Sequence, residues 1–141
     1  APAEREHLHF AALQREVGRV ALGIDASVRH DAATPLHEEP YFIFAEAVEE
    51  ALLAFCRDPT VLERTAHLAG LPRLAGRNRA GQPCVFPPSG VLPGRGFSMF
   101  AFPLCYLYQG SLPLYLVLRE LWVRYWCRLH CLSSQPGTLL P

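Results

Sequence analysis

An all-α fold is what this sequence predicts, an irregular helical domain of about five helices with one long Pro/Gly-rich loop. Three observations carry that prediction. Apolar residues recur at helical spacing through the first half of the chain. The strongest hydrophobic density, from Val85 to Leu132, is cut by Pro and Gly into helix-sized pieces. The stretch from Gly70 to Gly96 shows none of the apolar/polar alternation of strands. At 141 residues the chain has the size of one domain able to bury a core without disulfides or metals.

The elements follow in order. Phe10, Leu13, Val17, Val20 and Ile24 alternate steps of three and four, the apolar face of a helix that Gly23 loosens at its end. His30 to Glu39 is a polar loop closed by Pro40. Phe44, Ala47, Val48, Ala51, Leu52 and Phe55 form the cleanest amphipathic stripe, with Glu46, Glu49 and Glu50 turned outward. Asp58-Pro59 then has the form of an N-cap and a first-turn proline, opening a short helix that runs to Ala69 and stops at Gly70. Residues 70 to 96 hold six Gly and five Pro in 27 positions, together with Arg73, Arg77, Arg79 and Arg95, and are expected to be a solvated loop. Beyond it, residues 97 to 132 form a hydrophobic helical hairpin. One helix covers Ser98 to Tyr108, and a second begins near Leu112, with Ser111 as its cap and Pro113 in its first turn. The tail Ser133 to Pro141 breaks that helix.

Charge is balanced overall but uneven along the chain. Residues 1 to 64 carry 6 basic and 12 acidic side chains (6 − 12 = −6), and residues 65 to 141 carry 7 Arg and 1 Glu (7 − 1 = +6), so the halves are expected to attract each other. Neutral total charge, and an Arg-rich loop without interleaved aromatics, argue against a nucleic-acid partner. Five cysteines form an odd set in apolar segments, which suits buried thiols in a reducing compartment better than a disulfide framework. Cys127, His130 and Cys131 share a helix but lack a fourth ligand, so no metal or cofactor is expected. The uncharged run Phe97 to Leu118 has the length of a membrane span, yet its prolines and the Gln109-Gly110-Ser111 turn divide it into halves too short to cross a bilayer. A membrane-associated fragment, with Arg119, Arg124 and Arg128 at the headgroups, is the alternative reading. The chain begins without Met or a signal-like segment and is expected to be a fragment or a processed product.

Three blocks of this sequence, YFIFAEAVEEALLAFCRDPTVLE, FPPSGVLPGRGFSMFAFPLCYLY and LYLVLRELWVRYWCRLHCLSSQPG, resemble the TBC domain of Rab GTPase-activating proteins. The likeness runs from about Tyr41 to Gly137, is weak before Tyr41, and implies a truncated, all-helical TBC domain. It also implies a Rab-type GTPase as partner, a cytoplasmic setting at endomembranes in vesicle trafficking, and membrane contact only through the GTPase. A GTPase-activating role is implied, with no chemistry of the chain's own beyond it. Members of the family act through an arginine in an I-x-x-D-x-x-R block and a glutamine in a Y-x-Q block. Here Leu22 to Arg29 resembles the first block with one extra residue between Asp25 and Arg29, which on a helix turns the side chain by about 100 degrees, and Arg29 is the candidate finger. For the second block, Phe97-Ser98-Met99 carries no glutamine, whereas another register places Gln109 there. A Rab-binding or scaffold role survives loss of catalysis, and a further alternative is a structural fragment that needs a partner to cover apolar surface.

Overall fold

The computed structural model describes residues 2–33, 43–68, 74–77, 80–93 and 96–129. The body is mostly helical, as the spacing of apolar residues requires. Helix α1 (Pro2–Arg19) buries Phe10 and Leu13, with Val17 half-buried beside them. It ends four residues before Gly23 rather than at it, and the Val20 carbonyl just past its end meets a side chain. Arg57 Nη2 donates to Val20 O at 2.8 Å, and the Leu22 amide donates to Asp25 Oδ2 at 2.9 Å.

That second bond starts a helix the composition did not suggest. Helix α2 (Asp25–Ala33) includes His30 to Ala33, so the polar loop begins later than expected; 34–39 and Pro40 lie outside the described residues. Helix α3 (Ala45–Arg57) follows, its acidic residues near the start and every residue from Ala51 to Arg57 buried. A helix apolar on one side is a surface helix, and one buried all round is central. α3 changes from the first to the second along its length. Helices α1, α2 and a later helix, α5, all pack on it.

Helix α4 (Pro59–Thr65) opens as expected: Asp58 caps it, its carboxylate accepting from the Thr60 amide at 2.9 Å, with Pro59 in the first turn. It stops at Thr65, and Ala69 and Gly70 lie outside the described residues.

The Pro/Gly-rich stretch corrects the expectation of a pure loop. Strands β1 (Leu74–Arg77) and β2 (Pro83–Phe86) pair antiparallel, Leu74 opposite Phe86 and Arg77 opposite Pro83. Four-residue strands containing Gly76 and Pro83 are too short for period-two alternation to register. Arg77 Nη1 donates to Gly81 O at 2.8 Å, closing the connection. Arg73, Arg79 and Arg95 lie outside the described residues.

The first half of the hydrophobic hairpin is not one α-helix but two 3-10 segments, Phe97–Phe100 and Phe102–Tyr106. Pro103 offers no N–H to an α ladder, and the amides nearby bond three residues back instead: Ala101 to Ser98 O at 2.9 Å and Leu104 to Ala101 O at 3.0 Å. Helix α5 (Ser111–Leu121) then begins from Gly110, whose φ of 89° a side chain would resist, so Ser111 is the first helical residue and makes no cap bond. Pro113 does sit in the first turn. The helix widens into a π turn at Trp122–Trp126 and resumes α geometry through residue 129.

The core joins the two halves. Phe55 of α3 meets Phe97 at 5.7 Å and Trp122 at 6.0 Å between ring centroids, Phe97 meets Trp122 at 5.3 Å, and Phe10 of α1 meets Tyr115 of α5 at 4.9 Å. Burying such side chains contributes about 1.5–3 kcal/mol each. Charge follows the same seam: Arg119 Nη2 donates to Glu6 Oε2 at 2.9 Å, and Arg64 pairs with Glu120. Along the helix Glu120 also holds Arg124, one turn on, at 3.2 Å.

Candidate functional site

Arg29, the candidate finger, lies on α2 rather than in a loop. That helix has nine residues and buries only Asp25, Val28 and Ala32, so little apolar surface holds it. A helix this short is marginal alone, and polar ties fix its place. At its start Asp25 accepts from Arg57 twice, Nη1 to Oδ1 at 3.0 Å and Nη2 to Oδ2 at 2.7 Å. Arg57 is itself buried and also donates to Leu53 O at 3.1 Å. Burial would push the Asp25 carboxyl up, but the Arg57 hydrogen bonds, the Leu22 amide and the charges of Arg57 and Arg29 outweigh it and hold the group below its ordinary value.

At the far end Asp31 grips the aromatic segment. Its Oδ1 accepts from the Gly96 amide and its Oδ2 from the Ser98 amide, both at 2.7 Å, while Ser98 Oγ donates to Asp31 O at 3.0 Å.

Between these ties Arg29 projects outward, 49% exposed, with Nε 4.0 Å from Glu49 Oε1. It borders an open depression of about 170 Å³ lined also by Ala32, Ala33, Ala45, Glu46 and Glu49. The position three after Asp25, where the I-x-x-D-x-x-R spacing puts the arginine, is Val28, buried at 3% exposure. The extra residue therefore moves the cation off the core face and into reach of solvent. Gln109 is exposed in the turn before α5, and Ser98 is buried. No described contact joins Arg29 to Gln109.

A second polar centre is buried at the junction of α1, α4 and α5. Asp58 is fully buried, and its Oδ1 accepts from the Thr60 amide, from Thr60 Oγ1 at 2.7 Å and from His9 Nε2 at 3.0 Å. Its Oδ2 accepts from the Tyr115 hydroxyl and lies 3.7 Å from Arg119 Nη1. The dipeptide Asp58-Pro59 signalled the cap, but nothing in the sequence linked Asp58 to residues 49 before or 57 after it. Among the described residues no cluster of His, Cys, Asp or Glu could hold a metal ion; His130 and Cys131 lie outside them. Nor is any described helix long and apolar enough to cross a membrane.

Comparison with known proteins adds one relative. Over 138 residues, 94% of this chain, the sequence is 35% identical to the human protein TBC1 domain family member 19. The similarity is to part of a TBC1 domain family protein. The chain spans 26% of that relative's length, and the match takes in more of the chain than the blocks between Tyr41 and Gly137. No family model and no solved structure matches the sequence.

Proposed function

We propose that this chain is part of a TBC-like module that engages a Rab-type GTPase, and that Arg29 is the group it offers to the bound nucleotide. The observation that supports this reading best is the identity with a TBC1 domain family protein across nearly the whole chain. The geometry adds a cation held on a doubly tied helix, exposed and with Glu49 at 4.0 Å. A guanidinium inserted beside a transferring phosphoryl group neutralises the charge that builds on its oxygens, an effect worth ~10³ to 10⁵ in rate. Such a module works in the cytoplasm, on GTPases held at endomembranes, and touches the membrane only through them.

A second reading within the same class is a Rab-binding module without catalysis. Val28 at the finger spacing, and a Phe97-Ser98-Met99 block with no glutamine, favour it.

Single-turnover GTP hydrolysis by a panel of purified Rab proteins tests both readings, run with the wild-type chain, Arg29→Ala and Arg29→Lys. On the first reading at least one Rab is stimulated and Arg29→Ala abolishes the effect. Stimulation that survives Arg29→Ala refutes the finger. Binding to a GTP-loaded Rab with no stimulation selects the second reading, and binding to none of them refutes both.

A further inference from the structure

We propose that Asp31 is a positioning residue for Arg29, acting by fixing the roll of α2 about its own axis. The inference rests on the Rab-directed reading above. Asp31 follows Arg29 by two residues, about 200 degrees around the helix, so it grips the flank opposite the one from which Arg29 projects. Asp25 precedes Arg29 by four residues and lies nearly in line with it.

The two aspartates therefore hold different sides of a short rod. Arg57 fixes the first turn through Asp25, and Asp31 ties the last turn to the aromatic segment. Apolar packing supplies little resistance there, since Val28 and Ala32 are the apolar side chains that α2 buries. Two charge-assisted bonds of 2.7 Å and the reciprocal Ser98 hydroxyl bond supply it instead. The donor geometry depends on Gly96, whose φ of 85° is left-handed; its own amide and the Ser98 amide both meet the one carboxylate. If that grip is lost, the last turn can rotate toward solvent and carry Arg29 away from any fixed target. Misplacing a catalytic group by about 1 Å costs up to ~100-fold in rate.

The test measures stimulated hydrolysis and GTPase affinity separately for Asp31→Ala, Asp31→Asn and Ser98→Ala, each in the wild-type and the Arg29→Ala backgrounds. We expect Asp31→Ala to lower the stimulated rate at saturation by ~10- to 100-fold while affinity stays within about twofold. Asp31→Asn keeps one carbonyl acceptor and should fall between. In the Arg29→Ala background, where stimulation is already abolished, none of the three substitutions should weaken GTPase binding. Amide hydrogen exchange at Gly96 and Ser98 should rise in Asp31→Ala, confirming that the bonds are broken.

A rate unchanged in Asp31→Ala despite faster exchange overturns the positioning role. So does a loss of GTPase affinity for Asp31→Ala in the Arg29→Ala background, which would mean general unfolding. A wild-type chain that stimulates no Rab removes the reading underneath, and that failure is distinct because it appears before any substitution is made.

Discussion

Replacing Asp58 with Ala should destabilise the fold far more than loss of an ordinary helix cap. A cap residue replaced by Ala costs about 1 kcal/mol. Asp58, however, is fully buried and also holds the hydroxyl of Tyr115, a side chain with no solvent exposure. Stranding that hydroxyl adds ~1–3 kcal/mol of desolvation. Arg119 would keep Glu6 at 2.9 Å and Glu120 at 3.4 Å but lose Asp58, at 3.7 Å, while remaining largely buried. Breaking a buried charge network by removing one partner costs ~3–5 kcal/mol, and the cap and the hydroxyl alone account for about 2–4 kcal/mol. Urea unfolding followed by tryptophan fluorescence measures it. Tyr115→Phe, which removes the hydroxyl and leaves nothing stranded on the ring, should cost only about 1 kcal/mol. The double variant should cost less than the two single losses added, because the stranded hydroxyl is then absent. A loss near 1 kcal/mol for Asp58→Ala, or strict additivity with Tyr115→Phe, would refute the idea that the carboxylate ties three helices together.

Other expectations are more local. Asp25 titrates below its ordinary value in the folded chain, so its contribution to stability is complete above an unfolded carboxylate pKa of ~4 and is lost as pH falls through the folded value. Acid unfolding of Asp25→Asn should therefore show a shallower decline below about pH 4 than wild type, and an unchanged slope would remove the pair from the account. Arg57→Met should cost ~3–5 kcal/mol in urea by leaving Asp25 buried without its partner, and Arg57→Met with Asp25→Leu should recover part of the loss. Among the thiols, burial pushes Cys56 up to about 12 and Cys105 to about 11, while Cys84 is exposed. In a Cys131→Ser background a thiol reagent at pH 8 should label Cys84 in the native state and reach Cys56 and Cys105 only on unfolding. Arg29→Ala should leave the unfolding free energy measured in urea within ~0.5 kcal/mol of wild type, since its contact with Glu49 is long and solvated.

What could be read from the residues depended on how far apart the interacting groups lie in sequence. Phe44 to Phe55 announced α3 by spacing, and Asp58-Pro59 announced the next helix by local chemistry; both signals lie within a few turns. α2 was missed because its polar surface resembles a loop and its helix depends on Arg57, 32 residues away from Asp25. The β-hairpin was missed because four-residue strands carry too few positions for a period to emerge. The single helix expected from Ser98 to Tyr108 runs through Pro103, whose missing N–H drives both flanking turns to 3-10 geometry. Of the candidate site, Arg29 was legible as a residue type near Asp25, but its exposure was not. That follows from Val28 occupying the inward position, a fact of packing. Asp31, tied to amides 65 and 67 residues away, left no local trace.

The wide turn at Trp122–Trp126 bears on how this part of the chain can change length. The Cys127 amide there reaches back five residues to Trp122 O, and the segment holds one more residue than an α turn of the same reach. Deleting Val123 can thus restore ordinary pitch while Trp122 and Cys127, both fully enclosed, stay in phase with their neighbours. The same deletion placed between Leu114 and Leu118 has no slack to absorb it and swings everything downstream by about 100 degrees. Single-residue gains and losses among related chains should accordingly collect at this one turn, leaving the rest of the helix constant in length.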